Sequence, residues 1–194
     1  MRATAYLASA WLGLAPVNPY PPASRAPAAT GPAVLPQISP FARRPDVHFV
    51  PTPDRVVVAM LNLAQVTSQD VVYDLGSGDG RIPIAAAQLF GARGVGVEID
   101  RALVQRARER SAGASVAGRA VFIEGDLFET DVSGATVVTL FLLQGLNLKL
   151  LPKLRRELKP GSRIVSLNFT MGDAWPPDIS QDVEGLSIHL WTVP

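Results

Sequence analysis

Val71-Val-Tyr-Asp-Leu-Gly-Ser-Gly-Asp-Gly-Arg81 decides the fold of this chain of 194 residues. An apolar strand here ends at Asp74 and runs directly into three alternating glycines at positions 76, 78 and 80. Glycine lets the backbone turn tightly and approach a ligand closely, and residues 82–90 predict a helix whose N-terminus faces that ligand. The stretch therefore predicts a nucleotide pocket, with a purely structural glycine turn as the alternative.

The glycine spacing argues against a dinucleotide. A G-x-G-x-x-G fingerprint would place its third glycine at position 81, which is Arg81 in this chain. Pyrophosphate binding is therefore disfavoured, and a dehydrogenase is the most distant interpretation.

Two further strands end in acidic residues. Residues 94–99 predict a second buried strand that carries Glu98, whose carboxylate can accept hydrogen bonds from both hydroxyls of a ribose. A third strand, 120–124, is followed by Asp126, whose side chain and a neighbouring amide could recognise an adenine edge. Ligands of open α/β sheets bind at the carboxyl ends of the strands, so these three strand ends predict one nucleoside ligand. Solvated acids at strand ends are the alternative.

The remaining pattern alternates helix and strand. We predict helices at 55–65, 82–90, 101–112 and 147–158, and strands at 71–75, 94–99, 120–124, 135–141 and 163–169. Thr52 or Asp54 is expected to cap the first helix, with Pro53 at an early helical position. Such alternation predicts a parallel sheet covered on both faces, and residues 185–193 alternate like an antiparallel edge strand.

Composition excludes several classes of function. The net charge is +1, and residues 48–194 hold 14 basic and 16 acidic side chains, which gives no basic patch for nucleic acid. Without cysteine there are no disulfides and no thiolate metal ligands. His48 and His189 are far apart in sequence, so we predict no metal site and no nucleic-acid partner.

The N-terminal part differs from the rest. Residues 1–15 form an uncharged segment after Arg2, typical of a signal peptide or a surface anchor, and too short for a span of about 20 residues. Residues 16–46 are rich in Pro and Ala and predict a flexible linker. The folded domain is expected at 47–194.

The spacing Asp74-x-Gly-x-Gly-x-Gly80 resembles motif I of the class I S-adenosylmethionine-dependent methyltransferases. The resemblance implies a Rossmann-like α/β fold with a mostly parallel seven-stranded sheet, helices on both faces and an antiparallel C-terminal edge strand. It implies S-adenosyl-L-methionine as cofactor, S-adenosyl-L-homocysteine as product, and Asp74 near the methionine end. The cofactor-binding residues it implies are Thr52, Asp74, Gly76, Ser77, Gly78, Gly80, Glu98, Ile99, Asp126 and Leu127.

Four blocks narrow the resemblance to the ATP synthase c-subunit lysine N-methyltransferase family and its prokaryotic relatives. They are Val-Pro-Thr-Pro at 50–53, Asp-Leu-Gly-Ser-Gly-Asp-Gly-Arg at 74–81, Gly-Asp-Leu-Phe at 125–128 and Asn-Leu-Lys-Leu-Leu-Pro-Lys-Leu at 147–154. This resemblance implies methylation of a lysine in a protein, with a small membrane protein as one option. We expect a cytoplasmic location with membrane attachment through residues 1–15 as an option, and export as the alternative.

The resemblance also implies three catalytic candidates near the transferred methyl group. These are Gln144 and Asn147 after the fourth strand, and Asp173 in a late loop that also carries Trp175. Asn147 could instead be a helix cap, Asp173 a turn former, and Trp175 a packed aromatic. The chain departs from the family pattern at Gln144 and at residues 167–170. A small-molecule methyltransferase and a cofactor-binding module without transfer activity therefore stay open.

Overall fold

The computed structural model describes residues 48–194. The seven strands are β1 Val71–Leu75, β2 Arg93–Glu98, β3 Ala120–Glu124, β4 Val137–Leu140, β5 Arg163–Leu167, β6 Ile179–Val183 and β7 Leu186–Thr192. The α-helices are α1 Asp54–Leu63, α2 Arg81–Phe90, α3 Arg101–Gly113 and α4 Gln144–Glu157, and Gly172–Ala174 form a 3₁₀ turn. The predictions for residues 1–15 and 16–46 lie outside the described residues and stay predictions.

The strands form one sheet in the order β3-β2-β1-β4-β5-β7-β6. The first five strands are parallel, and β7 runs antiparallel to both β5 and β6. The predicted fold class is thus confirmed, with one correction. The C-terminal strand does not lie at the edge, because β6 occupies that position and β7 lies between β6 and β5.

Helices pack on both faces, as the alternation predicts. α1 and α2 bury Met60, Leu61 and Ile82 against one face of the sheet, and α3 continues this layer over β3. α4 buries Leu150 and Leu154 against the opposite face. The two faces are set by the period of two along each strand, since Val137 faces α1 and Val138 faces α4.

The predicted cap of α1 and the predicted start of α4 are wrong. α1 begins at Asp54 after Pro53, and neither Thr52 nor Asp54 caps it with a side chain. α4 begins at Gln144, three residues before the predicted start at Asn147, and Leu143 precedes it without a side-chain cap. Both Thr52 and Asn147 are residue types typical of a helix cap, but neither lies at a cap position with its side chain. Thr52 is buried beside the glycine loop, and Asn147 is buried within the helix.

The sequence pattern missed β6. Ile179-Ser-Gln-Asp-Val183 is almost wholly exposed, and it pairs with one neighbour only in the part of the chain that the structure describes. An edge strand of this kind needs little apolar surface, so it leaves no clear signal of hydrophobic alternation. Within residues 48–194, no helix is long and apolar enough to cross a membrane.

Candidate active site

A cavity of about 550 Å³ opens at the carboxyl ends of β1 to β4. Eight of the ten predicted cofactor-binding residues line it: Thr52, Asp74, Gly76, Ser77, Glu98, Ile99, Asp126 and Leu127. The volume lies in the range typical of sites for small molecules and cofactors. The structure thus brings together the three strand ends that the sequence singles out.

Gly78 and Gly80 support this cavity from behind and do not line it. The Gly78 amide donates to Glu98 Oε2 at 2.9 Å. Gly80 precedes α2 with a φ of +79°, and a Cβ there would lie 2.6 Å from the Phe122 ring. Both glycines therefore shape the loop, because a side chain would block its close contacts with β3, α3 and the segment before α1.

Glu98 is fixed by the backbone around it. In addition to the Gly78 bond, its Oε1 accepts from the amides of Ile99 at 2.8 Å and Asp100 at 2.9 Å. A carboxylate offers about four acceptor positions, so three are used and one remains on Oε2. The sequence predicted that Glu98 could accept from both ribose hydroxyls; the structure leaves room for one such bond.

Asp74 lies at the deepest part of the cavity. Its Oδ1 accepts from Thr139 Oγ1 at 2.8 Å, and the carboxyl group is almost completely buried. Burial raises the pKa of Asp74 above its ordinary value of 3.8, the hydrogen bond from Thr139 lowers it, and the neighbouring charges of Glu98 and Asp79 raise it; the net pKa is about 7. A cation placed beside Asp74 would favour its ionised form.

This buried carboxyl predicts a pH-dependent stability. Because its folded pKa of about 7 exceeds 3.8, Asp74 stabilises the fold fully below about pH 4, and this contribution is lost as the pH rises through 7. Relative to Asp74→Asn, which keeps the acceptor for Thr139 but cannot ionise, we expect the wild type to lose up to about 1.4 kcal/mol of unfolding free energy per pH unit between pH 5 and 7. Urea unfolding of both proteins across this range measures the difference. If the difference in unfolding free energy between the two proteins stays constant over this pH range, the raised pKa assigned to Asp74 is wrong.

One buried hydroxyl indicates a missing partner. Ser77 Oγ has no hydrogen-bond partner among the described residues, and Ser77 lines the cavity. Buried polar groups in folded proteins are normally paired, so this hydroxyl suits a polar ligand atom. With Glu98 placed for a ribose hydroxyl and Asp74 for an ammonium group, the residues present fit S-adenosylmethionine.

The sequence patterns missed the other lining residues. They are His48, Phe49, Val50, Arg81, Ile82, Val97, Asp100, Leu103, Gly125, Phe128, Phe141, Leu142 and Leu146. Most are apolar and belong to helix or loop patterns that carry no chemical signature. Asp100 did carry a signal, since an Asp before an apolar-periodic stretch is typical of a helix cap, and its Oδ1 accepts from the Ala102 amide at 2.7 Å.

The three catalytic candidates do not line the cavity. Gln144 and Asp173 are exposed, and the Gln144 side-chain amide lies close to Gly172 in the 3₁₀ turn. Asn147 is fully buried, and its Nδ2 donates to Ser166 Oγ at 3.2 Å and to the Phe169 carbonyl at 3.1 Å. The cap interpretation of Asn147 is therefore wrong, and a catalytic role for any of the three stays a prediction.

The segment that departs from the family pattern has structural contacts here. Leu167 is fully buried in the core, and Asn168 Oδ1 accepts from the Ser187 amide at 3.1 Å. Thr170 Oγ1 accepts from the Gly172 amide at 3.2 Å. Trp175 is half-buried and packs under the Arg155 guanidinium, 4.8 Å from the ring centre, which fits the packed aromatic interpretation.

The chain is similar in sequence to a family of known proteins. Residues 74–179, more than half of the chain, match the model of the ANTKMT methyltransferase domain. A protein-lysine N-methyltransferase of Saccharolobus islandicus (strain REY15A) is 46% identical over 146 residues, which cover 75% of this chain and 91% of that protein. The ATP synthase c-subunit lysine N-methyltransferase of Homo sapiens is 34% identical over 143 residues, and the match spans 74% of this chain and 60% of the human protein.

A solved structure is also similar. The crystal structure of an RNA methyltransferase from Salinibacter ruber, in complex with S-adenosyl-L-homocysteine, shares 55% sequence identity with a TM-score of 0.73. The match covers 75% of this chain and 94% of that one. Together with a cavity whose residues fit the cofactor, these matches show that the chain belongs to the ANTKMT methyltransferase-domain family of S-adenosylmethionine-dependent methyltransferases.

Proposed function

We propose that this methyltransferase acts on the side-chain amine of lysine in a protein. The observation that carries the proposal is the 46% identity, over 91% of its length, to a protein named as a protein-lysine N-methyltransferase. The charge of the cavity supports it. Four acidic side chains, Asp74, Glu98, Asp100 and Asp126, line the cavity against Arg81 and His48, so its walls favour cationic ligands.

The reaction needs positioning more than acid-base chemistry. The cofactor supplies an activated methyl group on a sulfonium centre. When the cofactor is bound, the chain would have to place a lysine nitrogen that has lost a proton to solvent beside that methyl group; transfer would give methyl-lysine and S-adenosyl-L-homocysteine. Since free lysine has a pKa of about 10.4, an apolar entrance that disfavours the ammonium form would assist the reaction. Phe49, Val50 and Leu142 give the cavity such apolar surface.

The region between β3 and α4 argues against a small-molecule acceptor. A lid of inserted helices there would enclose a small substrate, yet residues 125–143 contain only β4 and irregular segments. A surface open to a protein chain fits this arrangement better.

RNA is the second candidate acceptor, because the Salinibacter ruber protein is named as an RNA methyltransferase at 55% identity. The net charge of +1 gives this chain little attraction for RNA as the methyl acceptor. RNA binding depends on cationic contacts with phosphates, whereas several arginines of this chain are paired with acids. Arg81 and Arg110 pair with Asp79, and Arg163 pairs with Asp70.

Transfer of labelled methyl from S-adenosylmethionine into a lysate that includes membranes distinguishes the acceptors. We expect label that is removed by protease, resists ribonuclease, and maps to lysine by mass spectrometry. Glu98→Ala should abolish it, while Glu124→Ala should not. Label removed by ribonuclease would replace protein by RNA as the acceptor. Label in neither polymer, with S-adenosyl-L-homocysteine still bound, would overturn the proposal.

We also propose that the protein acts on the cytoplasmic side, with residues 1–15 as an attachment to the membrane. The cytoplasmic location is supported by the chemistry of the cofactor, because S-adenosylmethionine is made and kept inside cells. Cell fractionation with and without residues 1–15 tests this. Recovery of active protein outside the cell would contradict it.

A further inference from the structure

Arg81 occupies a central position between three parts of the molecule. Its Nε and Nη2 donate to the two carboxylate oxygens of Asp79 at 3.0 and 2.8 Å. Its Nη1 donates to the Thr52 carbonyl at 2.6 Å. Asp79 belongs to the glycine loop and also pairs with Arg110 of α3. The guanidinium group therefore connects the glycine loop to the chain that precedes α1.

That preceding chain forms one wall of the cofactor cavity. We call residues 48–53 the strap; four of them, His48, Phe49, Val50 and Thr52, line the cavity. The Phe49 ring lies against Gly78, so close that a Cβ on Gly78 would be 2.2 Å from it. Phe49 and Val50 are nevertheless 39% and 60% exposed, so the strap buries little apolar surface of its own.

The strap has few other attachments. Within residues 48–194, the bond from Arg81 to the Thr52 carbonyl is the one hydrogen bond that joins the strap to the start of α2, and the same Nη1 lies 3.7 Å from Asp54 Oδ1 at the start of α1. Hydrogen bonds from a charged donor are among the stronger ones in proteins. The Asp79 carboxylate fixes the guanidinium group on its other side, so Arg81 needs no rearrangement to hold the strap.

We propose that Arg81 is a positioning residue that holds the strap over the cofactor, and that it acts through the Thr52 carbonyl rather than through contact with the cofactor. The proposal concerns cofactor binding only and does not depend on the identity of the methyl acceptor. It accounts for an arginine at the position where a dinucleotide fingerprint would need glycine.

The test uses Arg81→Gln, with Arg119→Gln as a matched control. Arg119 also donates to a backbone carbonyl, that of Gly91 at 2.6 Å, but it does not line the cavity. In Arg81→Gln, we expect the Kd for S-adenosyl-L-homocysteine, measured by calorimetry, to rise about tenfold. The KM for S-adenosylmethionine should rise with it, while kcat stays near that of the wild type. The control should change none of these values.

A second readout follows the strap itself. In the ligand-free wild type, the amide order parameters of Phe49, Val50 and Thr52 should be near the rigid value of about 0.85, and in Arg81→Gln they should fall below about 0.6. Weaker binding with an unchanged strap would show that Arg81 contacts the cofactor directly, and would overturn the proposal. An unchanged Kd would also overturn it.

Phe49→Ala keeps the proposal testable if Arg81→Gln fails to fold. The Phe49 ring is partly exposed, so its removal spares the core and still frees the strap from Gly78. We expect it to raise the same Kd and to lower the order parameters of Val50 and Thr52. Where Arg81→Gln does fold, the double variant should show less than the sum of the two binding effects, because both act on one strap. Full additivity would contradict a shared mechanism.

Discussion

Replacing Glu98 with alanine is expected to lower the affinity for S-adenosylmethionine at least about a hundredfold, because three backbone amides lose their acceptor at once. These amides, from Gly78, Ile99 and Asp100, fix the loop on both sides of the cavity. The variant also loses the one free position on Oε2 that suits a ribose hydroxyl. Calorimetric titration with S-adenosyl-L-homocysteine measures the affinity, and thermal unfolding shows whether the fold persists.

Glu124→Ala is the matched control for this prediction. Glu124 pairs with Glu98 in the register of β2 and β3 and stands at the same level of the sheet, but it is exposed and does not line the cavity. Its removal should leave affinity within about twofold, as expected of a surface change. Glu98→Gln should weaken binding less than alanine, since its amide oxygen still accepts from Ile99 and Asp100 while its amide nitrogen cannot accept from Gly78. An affinity of Glu98→Gln close to the wild type would contradict the role assigned to the carboxylate.

Gly94→Ala is expected to reduce the free energy of unfolding by about 2–3 kcal/mol through overpacking. A Cβ at this position of β2 would lie 2.4 Å from the Pro83 carbonyl oxygen and 2.7 Å from its Cα. Both are backbone atoms of α2, so relief requires the whole helix to move away from the sheet. Because α2 directly follows the glycine loop, we also expect weaker cofactor binding. Urea unfolding, with and without S-adenosyl-L-homocysteine, measures both effects.

Gly113→Ala provides the comparison for this substitution. Gly113 is the last residue of α3, its φ is not positive, and a Cβ added there would meet no atom within 4 Å. Alanine there should leave the protein as stable as the wild type or slightly more stable, since it restricts the unfolded chain. Equal losses at positions 94 and 113 would show that contact between α2 and β2 is not the cause.

The cofactor half of the site could be predicted from the sequence because its signals are local. Asp74, Glu98 and Asp126 each lie at or just after the end of an apolar strand, and the topology of a parallel sheet brings such strand ends together. Eight of the ten predicted residues do line the cavity. The other two, Gly78 and Gly80, are part of the same loop but act behind its surface.

The acceptor half could not be predicted in the same way. The family resemblance alone points to Gln144, Asn147 and Asp173, and their positions depend on how α4 and the 3₁₀ turn pack on the sheet. Asn147 shows the difficulty, since an Asn near a helix start is typical of a cap, yet tertiary packing places its amide against Ser166 and Phe169. Arg81 shows the opposite case. In the sequence, Arg81 only argues against the dinucleotide-binding fingerprint. Its hydrogen bond to Thr52 cannot be predicted from a local pattern, because the two residues are 29 positions apart.

The location of β7 inside the sheet has a consequence for how the molecule opens. Among residues 48–194, β6 is attached to the sheet only through β7, so any event that separates β7 from β5 releases two strands together. This hairpin is therefore a candidate unit of partial unfolding, distinct from the five parallel strands that carry the cofactor site. Trp191, fully buried on β7 with its indole donating to the Trp175 carbonyl at 2.8 Å, would become exposed in that event. Its exposure would change the fluorescence of the protein, to which Trp11 and Trp175 also contribute, while the nucleoside cavity stays intact.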